Sequence, residues 1–209
     1  MPGGIVVLIV RSDPAVVESE LRAGRLACPH CAGELRPWGH ARVRVVRLSR
    51  GEERVRPRRA RCRACRATSV LLGDGCLRRR RDAAEVIGAA LVAKAKGAGH
   101  RRIARGLGRP AETVRGWLRA FAARVGVLRA HFLAWATALD PRLHALEPAG
   151  SPFADAVEAI GLATRAASLL LGPRPAWTWA SQMTAGGLIS NTSSPSPAST
   201  RAVILPSTG

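Results

Sequence analysis

Two cysteine pairs, Cys28-Pro29-His30-Cys31 and Cys62-Arg63-Ala64-Cys65, limit what this chain can fold into more than any other feature. Each has C-x2-C spacing, and thirty residues lie between them. Four thiolates carried in two such pairs can close a tetrahedral shell around one Zn²⁺ ion. Each pair sits on a tight turn, so both of its sulfurs can face the same ion. Gly33 suits the turn after a ligand pair, where backbone amides swing towards sulfur. Cys28, Cys31, Cys62 and Cys65 are therefore the expected ligands of one structural Zn²⁺. Metal binding at such a site supplies about 10–16 kcal/mol of folding free energy.

The first pair also permits a different chemistry, a redox dithiol. That reading needs the pair at a helix N-terminus in a thioredoxin-like fold. Ala32-Gly33 opens a helix poorly, and the second pair would have no role. His30 and His40 are alternative ligands, with His30 expected on the surface. Cys76 stands alone and is expected to be a small buried hydrophobe.

Between the pairs the sequence predicts a β-hairpin. Ala41–Leu48 begins by alternating, with Val43 and Val45 on one face and Arg42 and Arg44 on the other. Arg50-Gly51-Glu52-Glu53 makes the turn, and Val55–Cys62 returns, with Pro57 marking an edge or bulge. This layout is a zinc ribbon over 26–77. Upstream, residues 1–25 predict a strand at Gly4–Val10 and a helix capped by Ser12-Asp13-Pro14 and stopped by Gly24. Its expected role is one more strand on the ribbon's sheet.

Charge separates the chain into two parts. Residues 1–129 hold 29 Lys+Arg against 10 Asp+Glu, while residues 130–209 hold 4 of each. Thirty-one of the 33 basic residues are Arg, as codon bias would give, but bias does not explain a neutral C-terminal third. A cationic domain suits a polyanion, nucleic acid above all. Ten arginines fall between positions 42 and 63 and suit phosphate contacts, which give affinity without sequence information. Trp38 is expected to pack, with base stacking as the alternative. No apolar run approaches a membrane span, and Ile5–Val10 is too short for a signal-peptide core. The expected location is the cytoplasm.

From Asp82 the pattern becomes helical. Asp82 and Glu85 have capping-box spacing, and the helix should reach Lys96 before Gly97. Ile103, Ala104 and Leu107 then form an apolar stripe, Gly108 a turn, and Pro110 the start of a further helix. In that helix Val114, Trp117, Leu118 and Phe121 line one face, and Glu112, Arg115 and Arg119 another. Such a helix fits a major groove, where Arg115 and Arg119 meet guanine or phosphate. Glu112 orients Arg115 or reads cytosine, Thr113 meets phosphate, and Arg101, Arg102 and Arg105 meet the backbone. Helices are also expected at 128–139 and 152–171, packing on the helix pair or forming a dimer interface. Residues 191–209 are rich in Ser, Thr and Pro and are expected to be disordered.

The stretch 103–121 resembles the helix-turn-helix of bacterial transposases and resolvases. Ala104, Gly108 and Val114 occupy that motif's places; Arg109 departs from it, standing where an apolar residue is usual. The order of zinc ribbon, basic linker (Arg78–Arg81) and helix-turn-helix over 26–125 resembles the N-terminal part of insertion-sequence transposases. It also resembles an uncharacterised bacterial family found near mobile elements. The resemblance implies DNA binding and does not imply cleavage. Transposases of that type carry three acidic metal ligands in an RNase H-like domain. Here only Asp140, Glu147, Asp155 and Glu158 follow, within about 85 residues, and no βαβ context converges them.

The expected fold is α+β: a small N-terminal zinc-ribbon β module, an all-α helix-turn-helix module at 82–125, and C-terminal helices at 126–190. The expected function is non-enzymatic binding of double-stranded DNA, as a transcriptional regulator or transposition accessory factor. A homodimer or a transposase is the further expected partner. Two alternatives stay open: the DNA-recognition fragment of a transposase lacking its catalytic domain, and an RNA-associated zinc-ribbon protein.

Overall fold

The computed structural model describes residues 6–142 and 149–190. The fold is mixed α/β, with strands in the N-terminal part and helices after them. The expected disorder at 191–209 lies outside the described residues, as do the start of the N-terminal strand and Glu147.

The strands are β1 (Val6–Val10), β2 (Leu35–His40), β3 (Arg44–Arg47), β4 (Glu52–Val55), β5 (Arg58–Cys62) and β6 (Thr68–Gly73). Helix α1 (Pro14–Arg22) lies between β1 and β2. Asp13 caps it, its carboxylate accepting the Ala15 amide at 2.8 Å, and Pro14 fills the first helical position as the sequence predicts.

Four strands form one sheet in the order β1-β6-β5-β2. β1 does add a strand, and it joins β6 in parallel, with Val7 beside Val70 and Ile9 beside Leu72. The pleat sends successive side chains to opposite faces. Leu8, Val10, Ala60, Cys62, Leu71 and Leu35 go to one side and meet Val17 and Leu21 of α1. Ile9 and Leu72 go to the other side and join the helical core. This double burial explains why β1 reads as an unbroken apolar run.

The predicted hairpin is divided at Pro57. β3 pairs with β4 as a separate two-stranded sheet, while β5 pairs with β2 and β6. Proline cannot donate to a ladder, so the chain leaves one sheet there and enters another. The alternation is also out of phase with expectation. Val46 is the buried residue of β3, and Val43 is half-exposed.

After α1, the described residues form α2 (Ala84–Ala95), α3 (His100–Leu107), α4 (Ala111–Ala122), α5 (Val125–Leu139), α6 (Pro152–Leu171) and α7 (Ala176–Met183). Leu128, Phe132, Trp135, Ala136 and Leu139 of α5 recur at helical spacing and are buried. They belong to the same core as Ala156, Ala159, Ile160, Ala163 and Ala167 of α6, whose small side chains make room for large rings. Ser151 caps α6 by accepting the Ala154 amide at 3.2 Å. α7, which sequence periodicity did not predict, places Trp177 over α2. A Cβ on Gly88 would come within 2.0 Å of that indole.

Asp82 is not a helix cap. α2 begins after Ala83 with no side-chain cap, and the Asp82 carboxylate is turned into the protein instead. It accepts Arg47 Nη2 at 2.5 Å and Arg109 Nε at 2.6 Å. Two cations compete for the side chain more strongly than one backbone amide would.

Candidate metal centre and cationic helix face

The two cysteine turns are built alike. The Cys28 amide donates to Gly33 O at 2.7 Å, and the Cys62 amide donates to Ala67 O at 2.9 Å. In each loop the residue after the second cysteine takes positive φ, +56° at Ala32 and +63° at Arg66. The chain therefore folds back over its own sulfurs by the same route twice. Gly33 serves by close approach: a Cβ there would lie 3.1 Å from Cys62 Sγ and 3.3 Å from Cys31 Sγ. β2 and β5 pair antiparallel with Leu35 opposite Cys62, which brings the two turns together.

Cys28 Sγ lies 3.6 Å from Cys65 Sγ, and Cys31 Sγ lies 3.5 Å from Cys62 Sγ. All four sulfurs fall within 4.8 Å of one another. A tetrahedron with metal–sulfur bonds of about 2.3 Å has edges of about 3.8 Å. The cluster fits that shell, and its sulfurs stand well beyond the ~2.05 Å of a disulfide bond. Cys28 and Cys62 are buried, whereas Cys31 and Cys65 reach the surface. The His30 amide donates to Cys28 Sγ at 3.5 Å while its side chain stays exposed. No helix follows Cys31; the chain passes directly into β2. The helix N-terminus that a redox dithiol requires is missing from this place.

Titration of the cluster follows from crowding. Burial opposes the Cys62 thiolate, but the Cys65 amide, the Cys31 thiol and the Ala64 amide outweigh it and bring its pKa down to about 7. The Ala67 amide favours the Cys65 thiolate, yet the Cys31 thiol, burial and the other two sulfurs push Cys65 up to about 12. The four sulfurs therefore do not all ionise by themselves at neutral pH. A bound dication supplies the missing charge and releases protons as it binds.

Around this centre Glu34 accepts Arg36 at 2.8 Å and Arg63 at 3.5 Å. Trp38 is not packed in a core, as expected from sequence, but half-exposed, with the Arg61 guanidinium 4.7 Å from its ring. Cys76 is buried, and burial raises its thiol pKa.

The dense arginine run divides in two. Arg44 donates to Arg80 O, Arg47 to Asp82, Arg58 to Glu18 and Gly39 O, and Arg61 to Arg66 O. These guanidiniums hold the fold. Arg42, Arg54 and Arg56 are exposed and have no hydrogen-bond or ion-pair partner among the described residues.

α3 and α4 are joined through Gly108, whose φ of +60° ends α3 in the left-handed conformation. Pro110 sits at the cap of α4, one position earlier than predicted. Val114, Trp117, Leu118 and Phe121 are all buried, as are Ile103 and Ala104. Arg101, Arg102, Arg105, Glu112, Arg115 and Arg119 are exposed, and Thr113 is half-buried. Arg115 pairs with Glu112 at 3.3 Å. The other four arginines have no partner among the described residues. Arg109, which breaks the apolar pattern of the turn, is held by protein partners instead. Besides Asp82 it donates to Leu48 O at 2.6 Å and to Leu107 O at 3.2 Å.

No helix of the described residues is long and apolar enough to cross a membrane. No protein-family model matches the chain, and no curated protein or solved structure matches it either.

Proposed function

We propose that this chain binds double-stranded DNA without catalysing a reaction on it, as a transcriptional regulator or transposition accessory factor. In this reading Cys28, Cys31, Cys62 and Cys65 hold one structural Zn²⁺. Four thiolates match the softness and tetrahedral geometry of zinc and leave no coordination position for a substrate. The α3–α4 pair acts as a helix-turn-helix, with α4 entering the major groove.

The observation that carries the reading is the two-sidedness of α4. Four apolar side chains bury one face completely, and Arg115 and Arg119 project from the other. Arg101, Arg102 and Arg105 of α3 add three exposed cations with no partner among the described residues. A helix fixed from behind with guanidiniums in front is what groove recognition and phosphate contact require. Glu112 lies 3.3 Å from Arg115 and can orient it for bidentate contact with guanine.

Fluorescence anisotropy with labelled duplex DNA tests this between about 50 and about 200 mM salt. Each phosphate contact contributes a slope of about −0.9 in log K against log salt. Phosphate contacts by Arg101, Arg102, Arg105 and Arg119 give a slope of roughly −3.6. Replacing Arg115 and Arg119 by Ala should weaken binding. Absence of binding at low salt, or affinity indifferent to salt, refutes the proposal.

A further inference from the structure

We infer that the β3–β4 hairpin is a second DNA-contacting element, held in fixed register with α4 and touching phosphates beside the groove that α4 enters. The inference rests on the DNA-binding reading and extends it to a surface separate from the helix pair.

The hairpin is attached to the helical part by five hydrogen bonds. The Arg47 amide donates to Arg81 O at 2.6 Å, and the Ala83 amide donates to Arg47 O at 3.0 Å, so β3 is bonded by backbone to the lead-in of α2. Arg44 donates to Arg80 O. Asp82 receives Arg47 from the hairpin and Arg109 from the α3–α4 turn. Arg109 also donates to Leu48 O at the base of the hairpin turn. A buried carboxylate bridging two cations, with a third bond to the turn itself, ties the hairpin tip to the start of α4.

The hairpin's own requirements leave cations unused. Val46 faces the core, and Arg44 and Arg47 are consumed by the attachments. Arg50 at the tip and Arg54 on β4 are exposed with no partner among the described residues. Arg42 and Arg56 extend the exposed set at the far end. Glu52 and Glu53 are the hairpin's exposed carboxylates and oppose a polyanion. Charge without sequence-reading geometry suits phosphate rather than base edges. A rigid tie matters because two linked contacts add affinity only when both can engage at once.

The experiment uses the zinc-loaded full chain and labelled duplex DNA across the same salt range. Three variants are compared with the unaltered protein: Arg50→Ala/Arg54→Ala, Glu52→Gln/Glu53→Gln, and Arg115→Ala/Arg119→Ala. The arginine hairpin variant should lower the salt slope by roughly 1.8, two contacts at about 0.9 each. The glutamine variant should bind more tightly than the unaltered protein. If the unaltered protein does not bind duplex DNA, the functional reading falls and this inference with it. If the unaltered protein binds and the helix variant weakens it, but the hairpin variant keeps full affinity and slope, the hairpin inference alone is overturned. A preference for structured RNA over duplex that disappears with Arg50 and Arg54 also overturns the assignment to DNA. Unchanged zinc content and thermal midpoint in the hairpin variants show that any loss is not unfolding.

Discussion

Replacing Asp82 with Asn separates the role of its charge from that of its shape. The carboxylate is 3% exposed, Arg109 is 12% exposed and Arg47 is 28% exposed. Removing one member of a buried ion pair costs about 3–5 kcal/mol, because the remaining charge is left uncompensated. Two features place Asp82 at the lower end. Water reaches Arg47, and Arg109 keeps its bonds to Leu48 O, Leu107 O and Gly108 O. The expected loss is therefore about 3 kcal/mol. For a chain of this size, 1 kcal/mol moves the melting midpoint by about 2–4 °C, so the midpoint should fall by roughly 6–12 °C. Urea unfolding of the zinc-loaded protein measures it, with the slope of free energy against denaturant unchanged. Within the clamp, Arg109→Met should cost more than Arg47→Met, since Arg109 is less accessible and also holds the hairpin turn. A loss below about 1 kcal/mol for Asp82→Asn, or the reverse order of the two arginines, refutes the account of the clamp.

Three further outcomes follow from other parts of the molecule. Purified protein should hold close to one zinc ion per chain, and Cys62→Ser should lower this to near zero by elemental analysis; retention of the ion refutes the four-sulfur site. His131 is buried with Nε2 2.8 Å from Met183 O, and burial pulls its pKa below 6.5. The unfolded chain then takes up the proton first, so stability is full above about pH 6.5 and declines as pH falls below it. His131→Gln should remove that dependence, as chemical denaturation at several pH values would show. Gly88→Ala should destabilise by about 1–3 kcal/mol, because its Cβ collides with the Trp177 ring, despite alanine's better helix propensity. A stabilised Gly88→Ala protein contradicts the packing of α7 on α2.

The four-cysteine cluster was legible because C-x2-C spacing is a local instruction. Each turn aims its own two sulfurs, and only the meeting of the turns needs the rest of the chain. α4 was legible because a 3.6-residue apolar period marks one face wherever the helix docks. Other signals misled because a distant partner was stronger than a near one. Asp82 and Glu85 spell a capping box, yet Asp82 answers Arg47 and Arg109. Arg109 looks like a flaw in the helix pair until Leu48 and Asp82 are placed beside it. The alternation at 42–45 suggested one phase, and core contact at Val46 imposed another.

The sequence by itself determined the two C-x2-C turns, the cap at Asp13, the turn at Gly108 and the buried stripe of α4. Each depends on residues within about two helical turns of one another. Only the tertiary structure decided that β1 lies parallel to β6, that Pro57 divides the hairpin between two sheets, and which arginines are consumed inside the protein. Those outcomes are settled by contacts between segments far apart in the chain, where burial selects among partners that local spacing treats as equal.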